Sequence, residues 1–156
     1  MQEVFQVIKQ GILLMGLYHL ARIDWKTQLV NEKDLWILAI SGIILNVLLF
    51  FLQGKQNLLE SNLVEELIKI VCAMLIGGVL LLIAVFTKEQ IGVGDAYLFC
   101  VTGIFLDYMQ NLTLLLGTLF LTGLFCIGSF LLKKKGKNDT VAMIPFTLTA
   151  YVLFVL

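Results

Sequence analysis

From Leu112 to Leu132 the chain carries no charged side chain, and from Ile70 to Phe86 it carries none either. Apolar runs of this length are too long for ordinary strands. In hydrocarbon every backbone polar group must be satisfied within the chain, which a helix does along its own axis. The rest of the composition points the same way. Of 156 residues, 60% are hydrophobic, 14% are charged and one is proline, more apolar side chains than a soluble domain of this size needs. The expected fold class is all-α: a polytopic membrane helical bundle of about six transmembrane helices, forming a single domain over residues 1–156.

Other classes are disfavoured. The formal net charge is zero, the lysines are mostly scattered, and the one dense cluster lies between two apolar segments, so nothing favours nucleic acid. Cys72, Cys100 and Cys126 fall in apolar segments without a CxxC pair or metal spacing. They are expected to be small buried side chains, with no metal and no cofactor. The first apolar stretch has Glu3 before it and Lys9 in its first turns. It lacks a basic leader region and a small-x-small cleavage site, and is expected to be a retained first helix.

Six spans fit: roughly Val4 to Ala21, Leu35 to Leu52, Glu66 to Phe86, Asp95 to Met109, Leu112 to Leu132 and Val141 to Leu156. About 20 residues cross the hydrocarbon, so the fourth and sixth are short; a five-span alternative makes the fourth a half-crossing. Gln53 to Glu65 is polar and reads as an outer loop. Cationic residues set orientation. Arg22, Lys26, Lys33, Lys88, Lys133, Lys134, Lys135 and Lys137 follow the odd-numbered spans, while the even-numbered connections offer Lys55, with Lys69 inside the next segment. The first set is expected to face the cytoplasm. Gly42, Gly77, Gly78, Gly103, Gly117, Gly123 and Gly128 recur within spans, where small residues permit close helix approach; Gly77-Gly78 could also mark a bend.

Two polar interruptions then stand out, Ile23-Asp24-Trp25-Lys26-Thr27 and Gly92-Val93-Gly94-Asp95, and both fall on the expected cytoplasmic side. A carboxylate at a membrane boundary is costly unless it is wet, paired or functional. Two carboxylates around one water can hydrolyse an amide, one as general base and one, protonated, as general acid. Their mutual repulsion favours sharing a single proton. Gly92 and Gly94 would let the chain turn sharply and let backbone approach a substrate. Simpler readings stay open. Asp95 could cap the fourth helix, and Asp24 could merely end the first span between Arg22 and Lys26. Lys26 could tune Asp24 or bind lipid phosphate, with surface neutralisation preferred. Trp25 and Trp36 suit the interfacial aromatic belt, and His19 reads as interfacial. Asn46 is expected to bond to a neighbouring helix. Asp107 is expected to cap or solvate the outer end of the fourth helix, and Asp34 and Asp139 to start helices. Asn111-Leu112-Thr113 has the form of a glycosylation triplet but is assigned no role.

The chain resembles the type IV prepilin peptidase and preflagellin peptidase family, the membrane aspartyl proteases with a GxGD motif, in its small stand-alone peptidase-core form. Ile23-Asp24-Trp25-Lys26-Thr27-Gln28-Leu29-Val30 sits where that family places its first catalytic aspartate. Gly92-Val93-Gly94-Asp95 matches the motif carrying the second, and Pro145-Phe146 resembles a proline-phenylalanine step near the last helix. The resemblance implies Asp24 and Asp95 as catalytic residues, supported by Gly92, Gly94, Pro145 and Phe146. It also implies a pilin-like precursor with a short basic leader and a hydrophobic helix as substrate, cut at the cytoplasmic face of the cell membrane. Membrane lipid is the other expected partner. Two departures stand out: Asn31 and Glu32 replace a proline and an Asn or Asp after the first aspartate, and Ala96-Tyr97 replaces a hydrophobic-lysine pair after the second. The paired CxxC region of larger members is absent, so N-methylation is not expected. Rival readings are a catalytically silent relative acting in pilus or secretion assembly, and a small proton-coupled transporter. Intramembrane transport sites lie near the midplane, whereas these carboxylates cluster at one surface.

Overall fold

A computed structural model describes residues 2–27, 32–53, 61–87, 92–131 and 141–156. Its regular elements are six helices: α1 (Gln2–Thr27), α2 (Glu32–Gln53), α3 (Ser61–Phe86), α4 (Val93–Phe105), α5 (Tyr108–Leu131) and α6 (Ile144–Phe154). Lys55, Lys88, Lys133, Lys134, Lys135, Lys137, Asp139 and most of the expected outer connection lie outside the described residues.

Three segments, Val4–Thr27, Leu67–Phe86 and Tyr108–Ser129, are long and apolar enough to cross a membrane. The 22 residues of α2 extend ~33 Å at the ordinary helical rise, comparable to the hydrocarbon thickness. Helices α4 and α6, with 13 and 11 residues, are shorter than a full crossing. The chain is thus an all-α membrane bundle. Several boundaries differ from the sequence reading. Helix α1 continues through Asp24 to Thr27. Helix α3 begins at Ser61, so part of the expected polar connection is helical. Helix α4 stops at Phe105, and Asp107 falls in the two-residue step before α5, where its carbonyl accepts the Asn111 N–H at 2.9 Å.

The faces of α3 show how a membrane chain sorts its residues. Val71, Leu75, Val79, Leu82 and Phe86 form an exposed stripe, while Ala73, Ile76, Leu80 and Ala84 are buried. In water the outer stripe would be a large apolar patch; in lipid it faces like material. The inner face carries small residues, Ala73 and Gly77, where α4 lies closest against it. A Cβ placed on Gly103 would sit 2.7 Å from the Ala73 carbonyl oxygen, and one on Gly77 would collide with the Cys100 backbone. Helix α3 runs unbroken through Gly77-Gly78, and Gly77 serves close packing against α4. Cys72 and Cys100 are half-buried and Cys126 is exposed. The expectation of three buried thiols is therefore corrected: Cys126 lies on the outward side of α5, beside exposed Phe125 and Ile127.

Two asparagines tie the short helix α4 into the bundle. Asn111, fully buried, donates to the Ala73 carbonyl at 2.9 Å and the Phe99 carbonyl at 3.1 Å, and accepts from Thr102 Oγ1 at 2.8 Å. One amide thereby links α3, α4 and α5, and the asparagine of the formal glycosylation triplet is in the protein interior. Asn46 donates to the Ile104 carbonyl at 2.8 Å and accepts from Lys9 Nζ at 2.7 Å, as expected of a mid-span asparagine. The last carbonyls of a helix lack intrahelical partners, and Asn46 supplies one.

Candidate active site

Asp24 occupies the last turn of α1 at a position where the helix pattern calls for an apolar residue. Leu13, Leu17, Leu20 and Ala21 form the buried stripe of α1, and Asp24 continues it at 4% exposure. A boundary carboxylate free to snorkel would lie outside that stripe, as Arg22, Trp25 and Lys26 do, all exposed. The reading of Asp24 as a mere span terminator is therefore disfavoured by its burial.

The start of α6 supplies a partner for that buried carboxylate. The backbone N–H of Ile144 donates to Asp24 Oδ2 at 3.0 Å. This donor is available because of how α6 begins. Met143 is the N-cap and makes no side-chain cap. Its carbonyl accepts the N–H groups of Phe146 and Thr147 at 3.0 and 3.1 Å. Pro145 has no N–H to satisfy and suits a first helical turn. That leaves Ile144, and Asp24 reaches it from another helix. A negative charge at a helix N-terminus is also favoured by the helix dipole. Phe146 faces elsewhere: its ring lies 5.1 Å, centroid to centroid, from Phe125 of α5, tilted by 47°. That contact seats the beginning of α6 on α5.

Asp95 lies in the first turn of α4, half-buried. Its N–H donates to the Gly92 carbonyl at 3.0 Å, and Gly92 is the N-cap without a side-chain cap bond. Asp95 is therefore inside the helix, and the capping alternative does not describe it. Gly92 has φ −58° and ψ 124°, values open to any residue, so the turn does not demand a glycine. Space does. A Cβ on Gly92 would stand 2.9 Å from Asp95 Oδ2. Gly94 lies between Val93 and Asp95 in the same turn, half-buried.

Helix α1 packs against both α6 and α4. That arrangement brings Asp24 and Asp95 within electrostatic reach of one another. Asp24, Asp95, Gly92 and the Ile144-Pro145 step thus belong to one end of the bundle, while Phe146 and the exposed His19 are turned to other surroundings. Sequence reasoning missed Ile144, since a backbone N–H carries no residue signature. The available signal was the chain's single proline opening an apolar segment, together with the register of the Leu13-Leu17-Leu20-Ala21 stripe. Beside the site, an open groove of about 450 Å³ runs between α1 and α6, walled by residues including Arg22, Trp25, Lys26 and Pro145.

Comparison with known proteins gives a family match. Residues 11–128 fit the model of the type IV leader peptidase family, a stretch that includes both aspartates and the glycine motif. No curated protein and no solved structure matches the chain.

Proposed function

Because the chain belongs to the type IV leader peptidase family, we propose that it is a membrane aspartyl endopeptidase acting through Asp24 and Asp95. Its substrate is a pilin-like precursor, cut between a short basic leader and a hydrophobic helix at the cytoplasmic face of the cell membrane. The observation that carries this reading is the buried Asp24 at the end of the bundle where α4 opens with Asp95. The reading takes residues 1–156 as one peptidase-core domain, with the lysine and arginine pattern as the argument for orientation.

The chemistry follows from two carboxylates that hold one proton between them. The ionised member takes a proton from water as the water oxygen attacks the scissile carbonyl carbon. The protonated member donates to the carbonyl oxygen, stabilising the tetrahedral intermediate. The C–N bond then breaks as a proton passes to the leaving amine, which is the new amino terminus of the mature helix. The Ile144 N–H occupies Asp24 Oδ2 and leaves Oδ1 for the water. Acid and base roles are assigned to the pair.

The test is co-expression of this protein with pilin-like precursors encoded by the same genome, with the mass of each product's amino terminus as readout. The expected result is removal of the leader from at least one precursor, giving a mature product that begins at the hydrophobic helix and carries no added methyl group. Intact leaders on all precursors beside well-expressed protein would favour the silent assembly factor.

A further inference from the structure

The groove between α1 and α6 has a wall chemistry that the proposed peptide cleavage does not use. Arg22 and Lys26, one helical turn apart and both exposed, line it with Tyr18, Trp25, Pro145 and Leu148. Among the described residues no carboxylate lines it. The acid nearest in sequence, Asp24, is buried and bonded to Ile144. The groove lies at the end of the Val4–Thr27 span, the depth at which headgroups meet hydrocarbon. Tyr18 and Trp25 are 62% and 68% exposed, as interfacial aromatic rings are.

We propose that this groove binds an anionic phospholipid, its phosphate held by Arg22 and Lys26 and its upper acyl chain laid along Pro145 and Leu148. Charge complementarity selects the occupant. Two cations with no acid among the described lining residues favour a net negative headgroup over a zwitterionic one. They also disfavour the basic leader of a pilin-like precursor, which would meet like charge. The apolar wall of Leu148 and Pro145 favours a lipid over a soluble anion. The proposal concerns binding alone and stands whether or not the chain cleaves peptides.

The test uses Trp25 as reporter in the full-length Trp36→Phe protein, reconstituted in bilayers where one lipid carries bromine as a fluorescence quencher. Brominated phosphatidylglycerol in plain phosphatidylcholine is compared with brominated phosphatidylcholine in plain phosphatidylglycerol, at the same low mole fraction. The expected result is a preference for phosphatidylglycerol of roughly thirtyfold, from two cations near the surface at about 1 kcal/mol each. Arg22→Gln/Lys26→Gln is expected to remove the preference, and Arg22→Lys/Lys26→Arg to retain it. Equal quenching by the two lipids in the parent protein overturns the proposal, and that comparison needs no further variant to fold. A preference that survives the double glutamine variant, or is lost in the charge-preserving one, also overturns it. So does displacement of the lipid by millimolar inorganic phosphate, which would mark a simple anion site.

Discussion

Replacing Gly92 with alanine separates two explanations of the glycine motif. If the glycine served backbone freedom, Gly92→Ala would strain the turn and destabilise the fold. The observed φ of −58° and ψ of 124° are accessible to alanine, so no such strain is expected. Alanine loses less unfolded-chain entropy on folding, a gain of ~0.4–1 kcal/mol, and is a somewhat poorer N-cap than glycine. These effects oppose one another, and stability should stay within about 1 kcal/mol of the parent. The added Cβ, however, would stand 2.9 Å from Asp95 Oδ2, where close C···O contacts ordinarily lie at ~3.3–3.6 Å. The carboxylate, the end of a short side chain, should move away by roughly half an ångström. A misplacement of about 1 Å can cost a hundredfold in rate, so roughly a tenfold loss is expected. The assay pairs leader cleavage by purified protein with thermal unfolding of the same samples. Undiminished cleavage would refute the argument that the Gly92 hydrogen keeps space for Asp95. A loss of several kcal/mol in stability would refute the reading of the backbone.

Three further substitutions follow from the same structure. Asp24→Ala leaves the buried Ile144 N–H without its acceptor and should cost ~1–3 kcal/mol in thermal stability, whereas Asp24→Asn keeps an acceptor and should unfold close to the parent. Asn111→Leu removes three buried hydrogen bonds; at about 0.6 kcal/mol each within a membrane, unfolding in graded denaturant should show a loss of roughly 2 kcal/mol. Gly77→Ala would place a methyl group against the Cys100 backbone, and the forced separation of α3 and α4 should cost ~1–3 kcal/mol by the same measurement.

Much of the bundle was legible because bilayer thickness and hydropathy constrain helices strongly. The Leu112–Leu132 run and α5, Tyr108–Leu131, nearly coincide. The ends were less legible. Asp24 reads as an interruption when hydropathy alone sets the boundary, yet a helix continues through a carboxylate that has a partner, and that partner is a backbone group more than a hundred residues away. Asp95 and its glycines were visible as a motif, but the reason for Gly92 lies in a contact with Asp95 Oδ2, not in its dihedral angles. Asn111 was visible only as a formal surface triplet. Its burial depends on the three-helix meeting of α3, α4 and α5, which no local pattern encodes. Asn46 was legible because a mid-span amide has few options other than a neighbouring helix.

The central claim is that Asp24 and Asp95 act as one unit, and a double-substitution cycle tests it most directly. Cleavage of one defined precursor would be measured with purified parent, Asp24→Asn, Asp95→Asn and the doubly substituted protein, all reconstituted at equal amounts. Residues that act as a unit are strongly non-additive. Each single substitution is therefore predicted to abolish cleavage to the level of the double. Substantial cleavage surviving either single substitution, with a further multiplicative loss in the double, would contradict the two-aspartate account.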